Sequence, residues 1–275
     1  MTRIALFQST TGIDPAANAR ALTEAVDQAA SGGAEMLFTP EMSGLLDRES
    51  KRAAKALRSQ EEDSVLAACR EAARTHRIWL HVGSLAVLVD DGKVANRSFL
   101  IDREGEVRAT YDKLHLFDVD LPTGESWRES NVYSPGKGVV LVNGTPVGKL
   151  GLTICYDLRF PGLFARLAES DADVIAVPAA FTVPTGKAHW HVLLRARAIE
   201  AGLFVVAAAQ VGHHEDGRTT FGHSLVIDPW GEVVLDMGEE RGVGFADIDL
   251  KRISDVRSRI PALNHRRPIP DAVTL

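Results

Sequence analysis

Cysteine is scarce in this chain: Cys69 and Cys155 are the only two among 275 residues. Two isolated thiols do not make a disulfide framework, and the usage fits a reducing compartment. No stretch approaches 18 consecutive apolar residues, so no membrane span is expected. Basic charge is not in excess: 31 Lys and Arg face 37 Asp and Glu, a net charge of −6. That balance favours solubility and argues against a general nucleic-acid surface. Low-complexity segments and clear linkers are lacking. The opening "MTRIALFQST" enters a strand pattern at once, without a long apolar signal region. The expectation is a cytoplasmic protein that binds neither nucleic acid nor membrane.

What is present is an ordinary globular composition, 45% apolar and 25% charged, over a length that can bury a large core. Strand and helix patterns alternate. "RIALFQS" (3–9) reads as a buried strand. A helix follows it, with Asp14 as N-cap, Pro15 at the first helical position and Gly32 as the stop. "EMLFTPE" (35–41) is a short strand, and 61–76 an amphipathic helix with Cys69 on its apolar face. "IWLHVGSLAVLVD" and "ANRSFLIDREGEV" read as paired strands with turns at 91–92 and 103–105. A long polar loop spans 117–138. Residues 191–202 form a helix, 203–210 a buried strand, and "FGHSLVIDPWGEVVLDM" a hairpin. "GHHEDG" (212–217) reads as a polar loop. One domain is expected over 1–275, with 250–275 as an extended C-terminal tail draped over the sandwich or a partner subunit.

An internal echo suggests how these elements stack. "RSFLIDREGEV" (97–107) and "HSLVIDPWGEV" (223–233) agree at six of eleven positions without a gap. A helix, a short strand and a proline precede each. Two pseudo-symmetric halves would follow, each a sheet flanked by helices, with the sheets face to face. The bland alternative is that "ID…GEV" is a common hairpin sequence.

Three chemically able side chains lie just past strand ends: Glu41, Lys113 and Cys155. Strand ends converge on one sheet edge, where clefts form. Alone, each has an ordinary reading: Glu41 as a helix-cap partner or surface charge, Lys113 paired with Asp112, Cys155 as core. Together they offer a thiol nucleophile, a carboxylate base and an ammonium for charge developing on a substrate oxygen or nitrogen. The N–H of Tyr156, after the thiol, is a second donor. His189 and His191 in "AHWHVLL" could suggest a metal pair, but positions i and i+2 of a helix do not face together. Neither metal nor cofactor is expected.

"FTPEMSG", "YDKLHLFDVD" and "GLTICYDLRFPGLFARLAESDADVIAVPAAF" resemble motifs of the nitrilase superfamily of carbon–nitrogen hydrolases, in that family's order and spacing. The resemblance runs from about residue 3 to 268. It implies an α/β fold, a four-layer α-β-β-α sandwich. It also implies Glu41 as general base, Lys113 as oxyanion stabiliser and Cys155 as nucleophile. A second family glutamate maps to Glu129 in "WRESNVYSPG", with Glu125 the weaker choice. Other segments look most like the branch of small amidases acting on 2-oxo acid amides. The substrate most expected is the glutathione analogue whose γ-glutamyl amino group is a ketone. 2-Oxoglutaramate is the neighbouring choice; nitriles, N-carbamoyl compounds and a catalytically silent regulatory subunit are further ones. A substrate carboxylate would call for Arg159, unless Arg159 braces the turn against Asp157. Phe181 and Thr185 would line the same pocket, unless Phe181 is plain core. Arg195 and Glu200 are expected to lock their helix, and a homodimer to form through the face near the thiol.

Overall fold

Ile4, Ala5 and Leu6 are wholly buried at the centre of β1 (Thr2–Gln8), and their side chains alternate between two different cores. Ile4 and Leu6 face a second sheet; Ala5 faces helices. The computed structural model describes residues 1–89, 92–120, 124 and 126–274. After β1 come α1 (Pro15–Ser31), β2 (Met36–Phe38), α2 (Ser50–Ala56), β3 (Arg58–Ser59) and α3 (Ser64–His76). Then follow β4 (Trp79–Leu88), β5 (Val94–Ile101), β6 (Val107–Asp112), β7 (Asp118–Asp120) and β8 (Ser126–Arg128). The second half holds β9 (Val140–Thr145), β10 (Gly148–Leu152), α4 (Pro161–Glu169), β11 (Val174–Ala176), α5 (Val183–Ala201) and β12 (Phe204–Ala207). The chain finishes with β13 (Val211–His213), β14 (Thr219–Phe221), β15 (Leu225–Ile227), β16 (Val233–Asp236), β17 (Gly242–Ile248) and α6 (Lys251–Arg259).

One sheet runs β17-β1-β2-β4-β5-β6, with β3 beside β4; the other runs β16-β15-β12-β11-β10-β9. Each contains three parallel strands, β1-β2-β4 and β10-β11-β12. Each then adds two antiparallel strands, β5-β6 and β15-β16. Each closes its other edge with one more antiparallel strand, β17 or β9. Helices α1 and α3 cover one sheet, α4 and α5 the other. This is an α-β-β-α sandwich, and the echo read in the sequence corresponds to its repeat. Asp102 accepts hydrogen bonds from the N–H groups of Glu104 and Glu106. Asp228 does the same for Trp230 and Glu232. Gly105 and Gly231, at φ +81° and +85°, occupy matching turn positions that a side chain rarely adopts.

Several segments depart from the sequence reading. Helix α5 starts at Val183, eight residues before the expected 191, because Thr182 and Pro184 begin it within a stretch of weak apolar periodicity. The loop 117–138 contains the β7–β8 hairpin and a 3-10 turn over Glu129–Asn131. The "GHHEDG" segment bridges β13 and β14 rather than lying free in solvent. His214 and Asp216 are buried there, His214 between the Thr11 carbonyl and the Thr220 hydroxyl. The extended tail does not begin at 250. Ile253 and Val256 anchor α6, and the irregular chain starts only after Arg259. It first lies along α4, where Arg266 reaches the Ala165 carbonyl and Glu169. The turn expected at 91–92 and the candidate Glu125 involve residues outside the described set. Among the described residues no helix is long and apolar enough to cross a membrane.

Candidate active site

Cys155 follows β10 and opens a 3-10 turn, Cys155–Arg159, at φ +48°. A β-carbon at that angle stores roughly 1–3 kcal/mol of strain. The surroundings hold the turn in place: the Cys155 N–H donates to the Pro178 carbonyl at 2.9 Å. Asp157 caps the turn from within, accepting from the Ile154 N–H at 2.9 Å. The sulfur is therefore fixed just past the end of β10, the strand next to the β9 edge of the second sheet.

Glu41 approaches from the first sheet, past the end of β2. The approach needs Gly83, where a β-carbon would stand 2.1 Å from the Thr39 carbonyl oxygen and 2.5 Å from Pro178. Glu41 is 4% exposed, and every oxygen of its carboxylate is held. Oε1 accepts from Lys113 Nζ at 2.9 Å and Asn96 Nδ2 at 3.0 Å. Oε2 accepts from the Ala180 N–H at 3.0 Å. The Cys155 thiol neighbours this carboxylate closely enough for each to shift the other's ionisation.

Lys113 follows β6 and is 2% exposed. Besides Glu41, its ammonium meets Glu129 Oε2 at 2.9 Å and Oε1 at 3.1 Å. Glu129 is itself fixed by the Phe117 N–H at 2.6 Å and Asn96 Nδ2 at 3.2 Å. The surface-pair reading of Lys113 is therefore wrong: Asp112 is engaged by Arg97 at 2.6 Å and Lys113 turns inward. The four sequence candidates Glu41, Lys113, Glu129 and Cys155 meet in one buried cluster.

Their charges are coupled. Burial favours the neutral form of Glu41, but the Lys113 charge and bonds from Cys155, Lys113 and Asn96 outweigh it and hold the carboxyl below its ordinary range. Burial opposes the Lys113 charge too, yet Glu129, Glu41 and Cys155 raise it well above the ordinary lysine value. Burial and the adjacent Glu41 charge push the Cys155 thiol well up, with Lys113 only partly opposing. The resting state is a neutral thiol beside a carboxylate and an ammonium. Cys69 is different: wholly buried on α3, it is pushed to about 12 by burial, with Asp63 adding to it, and no cation among the described residues opposes the shift.

At the far end of the turn that Cys155 opens, Arg159 is half-buried, with its guanidinium 5.6 Å from the Phe181 ring centre and 6.0 Å from that of Tyr156. It does not brace the turn through Asp157. That carboxylate is filled by Tyr111, His115 and Ile154, and Arg159 meets His189 Nδ1 at 3.2 Å. Phe181 is 7% exposed and packs on Trp190, so it belongs to the core and to the Arg159 wall together. Thr185 sits in the first turn of α5, bonded to the Thr182 hydroxyl at 2.9 Å. Arg195 ties α5 to the Gly231 carbonyl at 2.8 Å, and Glu200 pairs with Arg197 at 3.0 Å, so both hold the helix.

Sequence reading missed Asn96, which bridges the two glutamates from mid-strand, and Asp157, hidden as a turn residue. It also missed Arg197, whose buried guanidinium donates twice to the Leu158 carbonyl and fastens α5 to the thiol's turn. An aromatic chain was missed as well. Phe117 meets Tyr156 edge-on at 5.0 Å, Tyr156 meets Phe160 at 5.3 Å, and His115 stacks on Phe160 at 3.6 Å. Only the partners' positions in space reveal these roles.

A doubly layered α/β sandwich with a thiol, two carboxylates and an ammonium at its sheet ends defines a hydrolytic enzyme class, that which cleaves carbon–nitrogen bonds. The chain belongs to the carbon-nitrogen hydrolase family, whose pattern matches residues 3–258. It is 38% identical over 274 residues to the deaminated glutathione amidase of Yersinia enterocolitica, covering 98% of this chain and 94% of that one. The NitFhit protein of C. elegans shares the fold at TM-score 0.89 and 38% identity, over 97% of this chain and 65% of that longer one. An amidase mutant from Nesterenkonia sp. AN1 aligns at TM-score 0.78 and 26% identity, over 95% and 98% of the two chains. Its structure shows acrylamide added to the active site cysteine.

Proposed function

We propose that this enzyme hydrolyses the amide of a 2-oxo acid through a Cys155 thioester. Its preferred substrate would be the glutathione analogue in which a ketone replaces the γ-glutamyl amino group. The observation that carries the chemistry is Lys113 Nζ at 2.9 Å from both Glu41 and Glu129, beside the Cys155 thiol. The substrate assignment is supported by similarity to chains named deaminated glutathione amidase.

In the first step Glu41 takes the thiol proton as sulfur bonds to the amide carbon, so the thiol need not ionise beforehand. Charge gathers on the carbonyl oxygen, where Lys113 and the Tyr156 N–H stabilise it. Loss of one such donor commonly costs about 3–4 kcal/mol of barrier. Glu129 keeps Lys113 charged and aimed. The protonated Glu41 gives its proton to the departing nitrogen, the C–N bond breaks and a thioester remains. Glu41 then takes a proton from water, whose oxygen attacks the thioester; the acid leaves and the proton returns to sulfur. The products are 2-oxoglutarate and cysteinylglycine. Neither metal nor cofactor takes part in these steps.

Arg159 would bind the substrate carboxylate through two parallel hydrogen bonds. The first turn of α5, bearing Thr185, would add its partial positive charge. Phe181 supplies an apolar wall. The enzyme is read as a cytoplasmic homodimer. Val192 and Ile199 on α5 and Trp230 at the β15–β16 turn are exposed, and Ile199 lies against Gly231 to make them neighbours. Light scattering of the wild type and of Ile199→Glu tests the dimer, which the substitution should weaken.

The deciding experiment is a substrate panel: deaminated glutathione, 2-oxoglutaramate, simple nitriles and N-carbamoyl amino acids. Fastest turnover of the first is expected. Preference for 2-oxoglutaramate would make the enzyme an ω-amidase. Turnover of only the last two classes would remove the 2-oxo acid reading. Mass spectrometry of quenched reactions should show the acyl group on Cys155.

A further inference from the structure

The histidine pair that helix spacing rules out has a different partner. His189 turns to Arg159, whereas His191 turns to His223 and Asp236, remote in sequence. His191 Nε2 stands 3.0 Å from Asp236 Oδ2. His223 Nδ1 stands 2.9 Å from Oδ1 and 3.2 Å from Oδ2 of the same carboxylate. The three ligand atoms lie within 4.8 Å of one another. All three side chains are partly exposed.

The cluster is fixed by its surroundings. His223 sits at φ +55°, and both its backbone groups are taken: its N–H donates to the Gly238 carbonyl at 2.7 Å, and its carbonyl accepts from Trp190 Nε1 at 2.8 Å. Phe221 stacks on the His223 ring at 4.5 Å. Asp236 Oδ1 is steadied by the Gly238 N–H at 2.9 Å. The three ligands thus come from α5, the segment after β14 and the end of β16; Gly238 holds both His223 and Asp236, and the Phe221 ring also meets His191 edge-on at 6.2 Å.

We propose that His191, His223 and Asp236 form a binding site for a borderline divalent transition cation of the zinc type, separate from the catalytic cluster. Two imidazole nitrogens and one carboxylate oxygen are the donors such ions prefer over the all-oxygen sets of magnesium and calcium. Three protein ligands leave a position for water on the exposed side. On binding, each ring places its lone pair on the metal, its proton moving to its other nitrogen. The carboxylate needs no proton change. An ion here ties α5, whose first turn carries Thr185, to the edge of the second sheet. The reaction requires nothing from it.

Cobalt(II) is the probe, added to the full-length protein after alkylation of Cys155 so that the catalytic thiol cannot serve as a ligand. One equivalent should bind with visible ligand-field bands, zinc should displace it, and the melting temperature should rise with metal concentration. His191→Gln and His223→Asn should each weaken cobalt binding by about tenfold or more. Asparagine tolerates the left-handed backbone at 223. Unalkylated variants should keep amidase activity within about twofold, which also reports that they fold. Absence of cobalt uptake at 0.1 mM-scale concentrations (on the order of ordinary weak sites) would overturn the site. So would uptake that survives both substitutions.

Discussion

Asp157 and His115 are joined by two hydrogen bonds: the Asp157 carboxylate meets His115 Nδ1 at 2.7 Å and its backbone N–H at 3.0 Å. The other oxygen accepts from the Tyr111 hydroxyl at 2.7 Å and the Ile154 N–H at 2.9 Å. Tyr111 and His115 flank Lys113, and Ile154 precedes Cys155. One wholly buried carboxylate therefore sets the distance between the ammonium of one sheet and the thiol of the other.

Asp157→Asn tests that clamp. An amide keeps the volume but sets its own N–H groups against at least one existing donor. A loss of about 2–3 kcal/mol is expected, the usual range for a buried hydrogen bond to charge, read as a lower urea midpoint. The activity of the folded fraction should fall mainly in kcat, because the substrate-facing groups remain. An unchanged kcat would mean that the two sheets hold their spacing without this residue.

Lys113→Met and Glu129→Gln should separate two roles. Removing the ammonium leaves Glu41 and Glu129 buried beside each other with no cation, at a cost of about 3–5 kcal/mol. Glu129→Gln keeps the Lys113–Glu41 pair, so stability should drop less. Its kcat should nevertheless fall roughly 10²-fold or more, as expected when an oxyanion donor loses its aim, with little change in KM. Urea unfolding and steady-state kinetics on the same preparations give both readouts.

Arg159 has no carboxylate partner among the described residues, so its substitution should spare the fold. Arg159→Lys retains charge but loses the planar pair of donors. For a substrate with a carboxylate beside the oxo group, KM should rise about tenfold or more, by the worth of a charged hydrogen bond. A neutral short amide should be affected little. Equal effects on both substrates would exclude carboxylate recognition by this residue.

The legible parts of this molecule were those set by local rules. Asp14, Pro15 and Gly32 bracket α1 as the sequence reads, because caps act within one turn. The repeated "ID…GEV" carried the pseudo-symmetry because the same Asp-centred turn recurs in both sheets. The convergence of Glu41, Lys113, Glu129 and Cys155 in one buried cluster was legible through motifs. What remained hidden depended on distant partners. Asn96 looks like any strand residue until Glu41 and Glu129 close on it. Helix α5 shows weak periodicity because Val192 and Ile199 are exposed while Arg197 is buried, against the usual assignment of those residue types. The tail misled because only Ile253 and Val256 reach the core from a short, highly charged helix.

His81 gives the chain a dependence on acidity unrelated to catalysis. It is wholly buried on β4, bonded to the Ser98 hydroxyl at 2.8 Å, and burial lowers it from 6.5 to about 3. In the folded protein it stays neutral where the unfolded chain would take up a proton. Between pH 6.5 and about 3 the unfolded state is favoured by one additional proton, so stability falls as pH falls. The slope attributable to this residue is about 1.4 kcal/mol per pH unit. Glu41, held below 4.5, adds loss of the same sign only near the bottom of that window. His214, also lowered by burial, contributes in the same direction. His81→Gln should reduce the steepness of urea-derived stability against pH between 6 and 4 by nearly one proton, while lowering the plateau at neutral pH. A slope equal to that of wild type would show that His81 takes up its proton without unfolding the chain.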